Sequence, residues 1–167
     1  MNRQREDLNL LLAKAIHEVE DVGIVPGEID KELLLTNGTS EFGRCTEKPN
    51  GSFTIHISKH IVNIKEEDLM EVLVHEVLHS VDGCMNHGPL WRKAADIMNE
   101  KKGYNISRTT KSSNMNLTSE HQAILKRYAV TCVGCGSTLY RQRMSKLIKQ
   151  PELYSCGVCG SNFERTK

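Results

Sequence analysis

Aromatic residues are scarce, 5% of 167, and long apolar runs are missing. The longest, such as Leu10 to Leu12 and Leu33 to Leu35, fall far short of the roughly 18 to 20 residues that a membrane span requires. A membrane-embedded protein is excluded, and no membrane partner is expected. Met1 to Asp7 mixes Arg3 and Arg5 with Glu6 and Asp7 and leads into no cleavage-site pattern, so no secretory signal is read there. A cytoplasmic protein is the expectation. A disulfide framework is missing as well: four of the six cysteines form Cys132-x-x-Cys135 and Cys156-x-x-Cys159, a pattern that among reducing thiols points to a metal. Cys45 and Cys84 read as ordinary reduced thiols. What is present, 38% hydrophobic and 26% charged residues, is the composition of one globular domain with a small appendage.

The net charge of +1 conceals a split. Residues 1–100 carry 10 basic and 18 acidic side chains, a net −8, whereas 101–167 carry 12 and 3, a net +9. Such asymmetry suggests two modules, the second disposed toward a polyanion, although uneven charge on a soluble surface is the plainer account.

Leu8, Leu11, Leu12, Ala15, Ile16 and Val19 recur at helical spacing and predict an amphipathic first helix that stops before Gly23 and Pro26. Turn signals follow at Asn37-Gly38 and Pro49-Asn50-Gly51, and Phe53, Ile55 and Ile57 alternate with Thr54, His56 and Ser58, the period of a strand. This is either a plain sheet strand or one that pairs with substrate backbone. Asn63, with Glu66 three residues on, predicts a capped helix start near Lys65, followed by acidic residues where the helix dipole favours them. Leu69 to Val81 is apolar nearly all round, so the middle of that helix is expected to be buried, with Gly83 as its stop. A further helix runs from Pro89 to Gly103. The polar stretch 104–119 reads as a linker, and a short helical stretch from His121 to Arg127 leads into the cysteine module.

Inside the buried helix, His75-Glu76-Val77-Leu78-His79 places two histidines one turn apart, side by side, as two ligands of one Zn²⁺. Glu76, on the adjacent flank, is placed to take a proton from a zinc-bound water and turn it into a nucleophile against a peptide carbonyl. Two imidazoles and a carboxylate in so apolar a helix are costly without partners, and a metal supplies them; the alternative is a pair of hydrogen-bonded core histidines with Glu76 at the surface. A catalytic zinc needs a third protein ligand and an open fourth position. Metzincin spacing would put that ligand at Met85, which excludes the class. His87 is favoured over Asp82, Cys84 and Glu100, because the loop after Gly83 can bring it back to the metal and the helix start beyond it favours the neutral imidazole.

The two knuckles, Cys132 with Cys135 and Cys156 with Cys159, have the spacing of a four-cysteine zinc ribbon, with Gly136 and Gly160 supplying the tight turns. A redox pair is the competing account. Arg141, Arg143, Lys146 and Lys149 lie between the knuckles with tyrosines nearby, and the module remains cationic after four thiolates and Zn²⁺ contribute about −2. Contact with nucleic-acid phosphates is expected, against the alternative of a platform that meets only protein.

Gly43-Arg44-Cys45 before the strand Ser52 to Ser58, Asp68 to His79, His87-Gly88-Pro89 and the terminal cysteine ribbon together resemble the SprT-like metalloprotease family, to which the eukaryotic Spartan proteases also belong. The resemblance implies an α+β, zincin-like catalytic domain with a small C-terminal zinc ribbon. It implies His75, His79 and His87 as zinc ligands, Glu76 as catalytic base, and substrate proteins bound or crosslinked to DNA. The expected organisation is a catalytic domain over 1–103, a linker over 104–119 and a ribbon over 120–167, with one catalytic and one structural zinc, in a monomer. A nucleic-acid-binding adaptor with two structural zinc sites is the alternative from another class.

Overall fold

The computed structural model describes residues 3–39, 41–108 and 119–167. The chain is α+β and divides into two compact units, Met1–Leu117 and Thr118–Lys167. In the first, α1 (Arg5–Asp21) buries Leu8, Leu11, Leu12, Ala15 and Val19 and leaves Leu10 exposed, as its periodicity requires. Gly23, with φ +84°, follows its end.

β1 (Leu34–Thr36), β2 (Gly43–Glu47) and β3 (Phe53–Ser58) form one sheet in the order β1-β3-β2, with β1 parallel and β2 antiparallel to β3. Ile55 and Ile57 are fully buried on one face, and Gly43 and Cys45 stand opposite them on β2, so those two residues share the inward face. Gly51, φ +83°, turns the β2–β3 hairpin and donates its N–H to the Lys48 carbonyl. β3 is the central strand, flanked on both sides, so it has no edge to offer a substrate; β1 and β2 are the outer strands.

α2 (Glu66–Leu78) buries Leu69, Met70 and every residue from Val72 to Leu78. Its expected cap is different. Lys65 occupies the N-cap without a side-chain bond, because the Asn63 Oδ1 accepts the main-chain N–H of Arg3, whose guanidinium also donates to the carbonyls of Val62 and Ile64. A tertiary partner has taken the group that local sequence assigned to capping. At the other end the helix tightens before Gly83: His79, Ser80 and Val81 donate three residues back, to Glu76, Val77 and Leu78. α3 (Pro89–Lys102) starts with Pro at its first turn and closes on Gly103 in the left-handed conformation, φ +74°.

The chain after α3 is tied down. Tyr104 donates its hydroxyl to Glu18, the Asn105 N–H donates to Glu71, and Asn99 both accepts from the Ile106 N–H and donates to its carbonyl. Ile106 is buried. The first residues of the stretch read as linker are thus a strap on the first unit, and residues 109–118 lie outside the described ones.

In the second unit, α4 (Ser119–Leu125) precedes an antiparallel sheet of β4 (Tyr128–Cys132), β5 (Thr138–Arg141) and β6 (Phe163–Arg165), ordered β5-β4-β6. α5 (Lys146–Lys149) contributes Ile148 to a core shared with Val130, Cys132, Cys156 and Phe163. So few apolar side chains make a marginal core, which a metal on the cysteines would staple. No helix among the described residues is long and apolar enough to cross a membrane.

Candidate metal centre and active site

His75 lies in the last turn of α2 and His79 at its C-cap. Their separation by four residues, one helical turn, sets the two rings 5.1 Å apart. The loop 80–86 then returns the chain so that the His87 Nε2 approaches the Nε2 of His75 at 3.0 Å and that of His79 at 3.2 Å. Tetrahedral zinc with Zn–N bonds of 2.0–2.1 Å separates its nitrogens by about 3.3 Å. The fit to a metal is therefore close, and all three ligating atoms lie within 4.8 Å of one another.

Each ring is oriented from outside. The His79 Nδ1–H donates to the Cys84 carbonyl at 2.8 Å, which leaves its Nε2 as a lone pair facing the centre. His75 hydrogen-bonds to the main chain of Ser107 in the strap. Trp91, the sole tryptophan, is buried beneath the site and lies 4.5–5.5 Å from all three rings, stacked on His79. Burial first, then the charges of His79 and His87, pushes the His75 pKa down to about 3. Burial lowers His79 and His87 too. Three neutral imidazoles converging on one point is the donor set of zinc. Asp82, Cys84 and Glu100 stand outside this cluster, Cys84 supplying only its carbonyl.

Glu76 lines the same cleft, a cavity of ≈ 380 Å³ shared with Gly43, Arg44, Cys45, Met85 and Arg108. It is 7% exposed, and burial, reinforced by the charge of Glu41, raises its pKa to about 8, against a hydrogen bond from the Cys45 main chain and the charge of Arg44. The carboxylate rests on Gly43: a Cβ there would stand 2.6 Å from the Glu76 Cγ and Oε1. The glycine is required by space, since its φ is not positive. Glu41 and Arg44 form an exposed ion pair among the residues lining the cleft.

The cysteine cluster is equally compact. Cys132 Sγ lies 3.3 Å from Cys159 Sγ, and Cys135 Sγ 3.7 Å from Cys156 Sγ, with all four within 4.8 Å. Each knuckle closes alike: Gly136 N–H donates to the Cys132 carbonyl and Gly160 N–H to that of Cys156, both glycines at positive φ. The Ser137 hydroxyl and amide favour the thiolate at Cys135, the form that a metal needs, while at Cys132 the Cys135 main-chain bond is outweighed by burial and the Cys159 thiol, which push the other way. The remaining cysteines, 45 and 84, are free thiols raised by burial, Cys45 to about 12, and are correspondingly inert.

Arg141, at the end of β5, and Arg143, Lys146 and Lys149 are all exposed. Lys126 lies 5.5 Å from the Tyr140 ring, and Arg127 and Arg165 flank Tyr128 at 5.5 and 5.8 Å. These three cations were not singled out in the sequence, although Lys126-Arg127-Tyr128 are consecutive; the fold brings Lys126 to Tyr140 and Arg165 to Tyr128. Gly43, Trp91, Ser107 and Arg108 were likewise missed as site residues. Gly43 had one signal, its place in the Gly43-Arg44-Cys45 stretch.

A family model described as the SprT-like family matches residues 21–111. No curated protein and no solved structure matches the chain.

Proposed function

The chain belongs to the SprT-like family, and from that premise we propose that it is a zinc-dependent endopeptidase whose substrates are proteins bound or crosslinked to DNA. The observation that carries the peptidase reading is the meeting of three convergent neutral imidazoles and a buried carboxylate in one open cleft. His75, His79 and His87 would hold the zinc. When bound, zinc supplies Lewis-acid polarisation of a carbonyl and lowers the pKa of water.

The chain's own residues do the rest. Glu76, buried in the cleft beside the three imidazoles, is placed to take a proton from the attacking water at a carboxylate oxygen and pass it to the leaving amine. Gly43 and the Cys45 main chain hold that carboxylate in place. β2 is an outer strand of its sheet and runs beside Glu76, so its edge groups other than the Cys45 amide can add a substrate strand, which would present the scissile bond in extended form. The Cys84 and Ser107 main chains keep the histidine rings turned toward the centre.

Cys132, Cys135, Cys156 and Cys159 would hold a second, structural zinc, since four protein ligands leave no open position. The DNA-linked substrate class is supported by the exposed Arg141, Arg143, Lys146 and Lys149 and by the resemblance to the Spartan proteases. A purely structural zinc, as the adaptor alternative requires, would need a fourth protein ligand at the histidine site; the cluster among the described residues has three.

Incubating the zinc-loaded protein with a DNA-binding protein, with and without DNA, and resolving the products on a gel tests the proposal. Cleavage by the wild type that rises with DNA and vanishes in Glu76→Gln is expected. Undiminished cleavage by Glu76→Gln, or none by the wild type, would overturn the peptidase reading.

A further inference from the structure

Peptide hydrolysis builds negative charge on the carbonyl oxygen, and a preorganised donor aimed at it is commonly worth about 100-fold or more in kcat. Within the cleft, and among the described residues, the side chains besides the metal ligands that can donate are those of Arg44, Arg108 and Cys45. The Cys45 amide already serves Glu76, and its thiol is a weak donor. Arg44 is engaged by the Glu41 carboxylate through both Nε and Nη2. It stands opposite His56 on β3, on the sheet face away from Gly43 and Cys45. Arg108 has no ion pair among the described residues.

We propose that Arg108 is a catalytic residue, whose guanidinium donates hydrogen bonds to the scissile carbonyl oxygen as its charge develops. The proposal rests on the peptidase reading above. Placement and rigidity support it. Arg108 lines the cleft and follows Ser107, which is itself bonded to His75. The strap carrying both is fastened at Tyr104 to Glu18, at Asn105 to Glu71 and at Ile106 by two hydrogen bonds with the Asn99 side chain. Arg108 is itself exposed, but it follows closely on a backbone held at Tyr104, Asn105 and Ile106, which lowers the cost of ordering it. Its charge is felt at His87, while the charges felt at Glu76 are those of Glu41 and Arg44. Glu76 reaches the cleft from α2 and Arg108 from the strap, so base and cation belong to different elements.

The test compares Arg108→Gln and Arg108→Lys with the wild type, all zinc-loaded, by peptide kinetics and by affinity for a phosphinic peptide, a stable mimic of the anionic tetrahedral state. Arg108→Gln should lower kcat about 100-fold with KM within about 3-fold. It should weaken phosphinic-peptide binding by a comparable factor with zinc content and melting temperature unchanged. Arg108→Lys should recover part of both, keeping the charge but losing the planar fork. Retention of kcat and of phosphinic-peptide affinity in Arg108→Gln overturns the assignment. If the wild type cleaves no peptide, the peptidase reading fails by itself and the binding arm still decides on Arg108: weaker binding by the Gln variant supports it, and equal binding, or none by either protein, refutes it.

Discussion

Replacing Gly43 by alanine adds one methyl group where the structure has no room for it. Its φ is ordinary, so alanine meets no backbone penalty, and the whole effect falls on what the methyl touches. The new Cβ would lie 2.6 Å from both Cγ and Oε1 of Glu76 and 2.9 Å from Cδ. Restoring an ordinary contact of about 3.4–3.5 Å moves the carboxylate by about 0.8 Å. That movement is resisted on all sides, because Glu76 is 7% exposed and also holds the Cys45 main chain. A misplacement near 1 Å at a reacting group costs on the order of 100-fold, so a loss of about 30- to 100-fold in kcat is expected. Overpacking should cost about 1–3 kcal/mol of stability, partly offset by about 0.5–1 kcal/mol from removing glycine from a strand. Metal is held by the histidines and not by Glu76, so two zinc ions per chain should remain. Peptidase kinetics, elemental analysis and a thermal melt on the one variant separate these effects. Activity within about 3-fold of wild type in a folded, zinc-replete Gly43→Ala protein would refute the claim that β2 positions the base.

Removing the third ligand by His87→Ala should lower zinc from two ions per chain to one, because two imidazoles hold the metal poorly; unchanged content by elemental analysis would disqualify His87. In metal-free protein, Glu76 with a folded pKa of about 8 against an ordinary 4.5 lowers stability as pH rises through that interval. His75, at about 3 against 6.5, lowers it as pH falls from 6.5 toward 3, and the depressed His79 and His87 act in the same direction. The melting temperature of the chelator-treated protein should therefore peak near about pH 6.5, with up to about 2 kcal/mol lost by pH 8. Glu76→Gln should flatten the alkaline side, and an identical alkaline decline in that variant would contradict the assignment. Changing Arg141, Arg143, Lys146 and Lys149 together to glutamine should weaken DNA binding and make its dependence on salt shallower, in proportion to the phosphates no longer neutralised; an unchanged slope would move the nucleic-acid contact to Lys126, Arg127 and Arg165.

The chemistry carried by short spacings was legible in the chain itself. A spacing of four between His75 and His79 is one helical turn, the apolar run around them requires burial, and paired C-x-x-C knuckles have few other uses, so a metal centre on a buried helix and a cysteine module later in the chain followed from local geometry, whereas the α+β, zincin-like fold came from the family resemblance. Helix ends marked by Gly23, Pro89 and Gly103 were legible for the same reason: the backbone conformation they demand is local. Groups with a choice of partners were not. Asn63 had the pattern of a cap, yet the arriving Arg3 took it, and the alternation of Phe53 to Ser58 said nothing about whether the strand lay at an edge or in the centre. Glu76 meets Gly43 only because β2 pairs antiparallel with β3 and turns its inward face to α2, and Ser107 meets His75 only because Glu18, Glu71 and Asn99 fasten the strap. Spacing along a chain fixes what one helical turn or one hairpin can bring together; contacts across tens of residues are decided by packing, where each polar group takes whichever partner the fold delivers to it.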